Sequence, residues 1–314
     1  MTERSLFEKL LDTWRRLGTE PTLAHQYERI ARKIDPSDLQ RSSGEVWDLT
    51  EADILAELTT GEPHTDRISG YYTKEGLEFA LERYGLFEKI RQRGFSELRL
   101  AFDTENPKRQ HITCFGTTGD REYLLLDLMM GRIRQRAPAG VAPSGDLELL
   151  SIEWMMLQNP AEDFTPDHSR WPGQEHPGLG INEEVMLLHI LSARRLGLDG
   201  VVNHPSRYHI AYLGRDRIWF LDPVVQGRFD ALREALSGFE LSDATWKMER
   251  GEVRWADDGS PFEWIPRDYV VPTSSRLADY FRSRSYQEPR AKSLDGARRR
   301  GIEVASEDRS GVSE

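Results

Sequence analysis

The sequence predicts an α/β fold, and three observations carry that reading. Residues 147–158, LELLSIEWMMLQ, form an apolar run with the look of a strand buried on both faces. A Gly/Pro-rich loop at 175–180, EHPGLG, leads from it to a helix at about 182–196 whose middle, VMLLHIL, is apolar on nearly every side. Asp199-Gly200 then turns the chain into Val201-Val202, the β-branched start of another strand. The helix carries its own punctuation. Asn182 is placed to cap it, Glu183 and Glu184 fall in its first turn, and Arg194 and Arg195 fall in its last. Gly197 is the expected left-handed stop, since a side chain there would clash.

Two further strand-like runs precede this unit, HITCFG at 111–116 and EYLLLDLMM at 122–130. TTGDR joins them, a turn-rich link of hairpin length. Ahead of them stand a helix at 74–93, a strand-like run at 96–102 (SELRLAF) and the polar link DTENPKRQ. Residues 1–66 read as a helical N-terminal segment. Leu6, Leu10, Leu11 and Trp14 mark one stripe, 23–34 another, and 49–58 a third behind a Thr50 cap.

The α/β core is placed at 67–237 and ends with a short helix at 229–236. Residues 238–282 form an extension in which TWKMERGEVRWADDGSPFEW reads as a C-terminal β-hairpin around Asp257-Asp258-Gly259-Ser260. Its tryptophans, Trp246, Trp255 and Trp264, are expected to pack it. From 283 to 314 large apolar residues nearly vanish and charges of both signs mix, the composition of a disordered tail.

Composition narrows the function. A formal net charge of −11 opposes nonspecific attraction to nucleic acid or anionic membrane. The single cysteine, Cys114, makes no internal disulfide, which fits a reducing compartment, and its strand position predicts a core residue. No apolar run approaches the ~20 residues of a membrane span, and the N-terminus lacks the long apolar stretch of a signal peptide. The expected location is the cytoplasm, with neither nucleic acid nor membrane as partner.

A buried strand feeding a glycine loop and a helix aims free backbone N–H groups at one point, a geometry suited to phosphate. Three successive strands, a glycine loop, a buried helix and a fourth strand resemble the core of the GNAT superfamily of N-acetyltransferases, over roughly residues 95–225. That superfamily's phosphate loop has the form Gln/Arg-x-x-Gly-x-Gly/Ala. Glu175, Gly178 and Gly180 occupy that spacing around Leu179, with Gln174 one place early. The later signature is echoed by Asn203, Ala211, Tyr212 and Ile218-Trp219-Phe220. The resemblance implies a central mixed, mostly antiparallel sheet with flanking helices. It also implies acetyl-CoA or another acyl-CoA as co-substrate, and an amine, small molecule or protein, as acceptor. Backbone groups near Met155 to Leu157 would pair with the pantetheine arm.

Acyl transfer to an amine needs a proton acceptor, an oxyanion donor and an acid for the departing thiolate. Glu153, a carboxylate inside an apolar strand, is the first candidate for base, because desolvation there would raise its pKa. Tyr212 is the candidate acid and Tyr208 its rival. Two other classes stay open. Glu175, Glu183 and Glu184 put negative charge around the loop, which suits a non-catalytic acetyltransferase-like domain that binds a metabolite or protein partner. His168, His176, His189, His204 and His209, with Glu175 and Asp222, supply ligand types for a metal-dependent enzyme, although none has a recognised ligand spacing.

Overall fold

The computed structural model describes residues 21–41, 67–165 and 169–305. The helices expected before residue 21 and at 49–58, with the Thr50 cap, lie outside the described residues. The chain is an α/β protein with a large mixed sheet, and it divides into two compact units. The first takes the chain up to Arg136, then Asp146–Asp163 and His176–Val202; the second takes Ala137–Gly145, Phe164–Glu175 and everything from Asn203. The core expected at 67–237 is therefore shared, with 137–145, 164–175 and 203–237 falling in the second unit.

In the first unit, α1 (Pro21–Ala31) is followed by α2 (Lys74–Arg83) and α3 (Leu86–Gln92). The single helix expected over 74–93 is thus two, parted at Tyr84-Gly85. Next come β1 (Ser96–Asp103), β2 (Gln110–Thr118), β3 (Arg121–Arg136) and β4 (Asp146–Leu157), each antiparallel to the one before. The tight link at 119–120 sets the register, so that Thr118 faces Arg121 and Cys114 faces Leu126. Alternation then sorts the faces. Ile112, Cys114, Leu126, Leu128, Met130 and Ile152 are buried, while His111, Thr113, Asp127 and Met129 are half-buried on the other side. The first half of β4 is buried on both faces, as expected, through Leu147, Leu149 and Leu150.

A crossover through α4 (Asn182–Arg195) brings in β5 (Gly200–Asn203) beside β4. The Asp199 N–H donates to the Glu148 carbonyl at 2.7 Å and the Glu148 N–H to Asp199 Oδ2 at 3.0 Å. Both strands therefore start at the same end, so the pair is parallel and the sheet mixed. Gly197 stops α4 with φ +67°, in the left-handed conformation its position requires.

The second unit contains α5 (Tyr208–Gly214), β6 (Trp219–Phe220), α6 (Pro223–Ala235), α7 (Leu241–Glu249), β7 (Val253–Trp255), β8 (Tyr269–Pro272), α8 (Ser275–Arg282), α9 (Arg284–Arg300) and β9 (Ile302–Val304). Asp222 caps α6 by accepting from the Val224 N–H at 2.7 Å. Phe220, Phe229, Trp264, Tyr208 and Tyr269 form its aromatic core, with ring centroids 4.6 to 6.3 Å apart.

Two expectations are corrected here. The part of the expected first arm before Arg250 is helical, as α7, while the part next to the turn is the strand β7, whose regular partner is β9. Across the Asp-Asp-Gly-Ser turn the arms meet in a short antiparallel bridge, Arg254 to Pro261, where the Trp255 N–H donates to the Ser260 carbonyl at 2.8 Å and the Phe262 N–H to the Val253 carbonyl at 2.9 Å. The expected tail is ordered from 284 to 304. Tyr286 is fully buried and donates to the Phe220 carbonyl at 2.7 Å, and Arg290 and Arg298 pair with Asp230 and Glu234 of α6. Ion pairs and one tyrosine hold a helix whose composition lacks an apolar stripe. No helix among the described residues is long and apolar enough to cross a membrane.

Candidate functional site

The end of β4 is where the expected site residues of the first unit meet. Met130 faces Ile152 and Met129 faces Trp154, so Glu153 is the extra residue of a β-bulge. On the other edge, β5 starts beside Glu148 and has four residues, so at ~3.3 Å per residue it covers β4 only to about Ile152. From Glu153 onward β4 outruns β5. Met155 and Leu157 lie on this stretch.

The glycine loop then folds back on the strand end. Gln158 and Gly178 form an isolated antiparallel bridge, the Asn159 N–H donates to the Pro177 carbonyl at 2.7 Å, and the Leu179 N–H points at the Leu157 carbonyl at 3.4 Å. Leu179 is fully buried and anchors the loop, whereas Gly178 and Gly180 are exposed on either side. A side chain at Gly178 would meet only the Leu157 carbonyl oxygen, at 4.0 Å. Gly180 is different. Its φ is +74°, and a Cβ there would lie 2.5 Å from Arg93 Nη2. Only glycine allows the guanidinium to lie this close to the backbone.

α4 starts directly after this loop, with Ile181, not the expected Asn182, at the N-cap and no side chain capping its first turn. Its first N–H groups and the positive end of its dipole face the loop. Glu184, expected to burden the site with charge, is 5% exposed and ion-paired with Lys89. Lys89 and Arg93, at the end of α3, thus set two cations beside the start of α4. Sequence reasoning missed both, because nothing in the α3 sequence indicates that it packs at this loop.

Glu153 does not have the environment expected of it. The bulge turns it outward, its side chain is 37% exposed, and its carboxylate pairs with Arg109 Nε at 2.8 Å. The burial that would have made it a base is absent. Glu175, Asn203, Tyr208 and Tyr212 belong to the second unit. Glu175 is exposed, and Asn203 Oδ1 is buried without a hydrogen-bond partner among the described residues. Tyr208 and Tyr212 lie on α5, not on a strand, with ring centroids 5.6 Å apart. Burial, and secondarily Tyr212, push the Tyr208 phenol far above its ordinary pKa. The Arg215 guanidinium sits 4.0 Å above the Tyr212 ring.

His176 and His189 belong to the first unit, His204 and His209 to the second, and His168 lies outside the described residues. His204 bonds Asp268 at 2.7 Å, and His209 packs edge-on against Trp171 at 5.0 Å. Among the described residues no group of three or more His, Cys, Asp or Glu is arranged to hold a metal ion.

No protein-family model matches the chain, and no curated protein matches it.

Proposed function

We propose that the protein transfers an acyl group from a CoA thioester to an amine. One observation carries this reading: a strand that outruns its parallel neighbour and leads into a glycine loop at the uncapped start of a buried helix. The first-turn N–H groups of α4 and the Arg93 guanidinium suit a pyrophosphate. The β4 backbone from Met155 to Leu157 suits an extended amide-bearing arm, by strand addition. A non-catalytic domain that binds a metabolite or protein partner is the second reading. It is favoured by the Glu153–Arg109 pair, which withdraws the expected base.

Calorimetry with acetyl-CoA tests the proposal. Wild type should bind at micromolar affinity. Gly178→Val has open space for its first side-chain atom, so it should keep the wild-type melting temperature and lose binding. Arg93→Gln should weaken binding about tenfold or more, the loss of one charge-assisted contact. Absence of binding by wild type at saturating acyl-CoA would overturn the reading. Binding without transfer to any amine would favour the non-catalytic domain.

A further inference from the structure

β1 is the end strand of its sheet, and β2 is the only strand hydrogen-bonded to it. Among the described residues no other backbone bond reaches β1. The N–H and C=O groups that point away from β2 are therefore open, as they must be for a further strand to add. A bulge between Ser96 and Arg99, with Glu97 at φ +46°, spoils the start of that edge. From Arg99 to Asp103 the register against β2 is regular. These five residues sort onto two faces. Leu100 and Phe102 lie opposite Cys114 and Ile112 on the buried face, yet each is only half-buried, because the sheet ends beside them. Arg99 and Asp103 are exposed on the other face, with Ala101 between them. Arg99 Nη2 donates to Glu122 Oε1 at 3.0 Å, and the guanidinium stacks 4.6 Å above the Phe115 ring. Asp103 accepts from the Glu105 N–H at 3.2 Å and has no ion partner among the described residues. An edge guarded by charge of one sign repels a copy of itself. Here the signs are opposite, on either side of Ala101.

We propose that β1 pairs with the β1 strand of a second copy of this chain, antiparallel and centred on Ala101. In that register Ala101 faces Ala101, Leu100 faces Phe102, and Arg99 faces Asp103. The axis is two-fold, so the last two pairings each occur twice. Facing Cβ atoms lie ~4.5–5.5 Å apart, within reach of an ion pair. Arg99 has five N–H donors, so it can hold Asp103 of the second copy without releasing Glu122. Leu100 and Phe102 gain the apolar neighbours that the sheet edge denies them. Centring on Leu100 or Phe102 instead would set Arg99 or Asp103 opposite Ala101, so charge selects the register. The assembly uses neither the glycine loop nor β4, and it stands apart from the acyl-transfer reading.

Sedimentation equilibrium of the full chain tests this. Wild type should form dimers as its concentration rises toward ~100 μM, the weak association expected of so short a ladder. Amide hydrogen exchange within Arg99–Asp103 should slow over the same range. Arg99→Asp and Asp103→Arg each set like charges face to face twice, and each should weaken dimerisation ~10-fold or more. The double variant, Arg99→Asp with Asp103→Arg, restores opposite charges and should recover most of the association. Both side chains are exposed, so all three variants should keep the wild-type circular dichroism. A dimer indifferent to both single variants would overturn the proposal, as would a double variant no better than either single. A wild type that stays monomeric at ~100 μM, with unchanged exchange, would overturn it too and leave the edge to a strand from another protein.

Discussion

His189 lies in the buried middle of α4 with its Nδ1 2.7 Å from the Val185 carbonyl oxygen, and desolvation pulls its pKa down to about 4. In the unfolded chain the same imidazole titrates near 6.5. Between those values the unfolded state binds the proton and the folded state refuses it. Stability is therefore complete above about pH 6.5 and is lost as pH falls toward 4, at up to ~1.4 kcal/mol per pH unit for this group. Urea unfolding at pH 7 and pH 5 should show the loss, and His189→Leu should reduce it, leaving the share of His209, whose pKa burial also lowers to about 4. An unchanged slope in that variant would exclude His189 as the source. Single residues were the least legible part of the sequence. Glu153 sits in an apolar run that reads as buried, but a bulge adds a residue there and turns the carboxylate out to Arg109. Arg93 reaches Gly180 through tertiary packing, so no local pattern marks it.

α6 and α9 pack closely enough for the same substitution to have opposite signs on the two helices. A Cβ at Gly227 of α6 would lie 2.3 Å from the Arg290 carbonyl oxygen, backbone that has nowhere to go. Gly296 of α9 has nothing within 4 Å of its Cβ position. Gly227→Ala should cost about 1–3 kcal/mol by overpacking, whereas Gly296→Ala should add up to about 1 kcal/mol through helix propensity. Paired urea titrations check this, and shifts of like sign would contradict the packing. The elements themselves were legible wherever pattern and punctuation agree. The β2–β3 hairpin, β4, the glycine loop, α4 and its stop all follow from alternation, apolar runs and glycine. α9 was not legible. Its anchors are Tyr286 and arginines matched to Asp230 and Glu234, and composition does not register charge pairing across helices. The Trp246 segment reads as β-forming by residue type, yet it is helical in α7, so propensity yielded to tertiary context.

At the scale of the molecule, the two units take their residues from alternating parts of the chain. Ala137–Gly145 and Phe164–Glu175 are excursions from the first unit that complete the second. Gly140 sits against Ser285, Trp171 packs on His209, and the Arg170 carbonyl accepts the Trp246 indole N–H at 3.1 Å. A fragment of residues 203–314 therefore lacks part of its own interior. Expressed alone it should melt without a cooperative transition, and a sharp thermal transition in circular dichroism would refute that. The same interleaving sets a schedule for synthesis on the ribosome. The first unit has all its strands once Val202 has emerged, while the two excursions, made earlier, have no partners yet. Their partners within the second unit are made only from Asn203 onward, so the second unit is completed after the first.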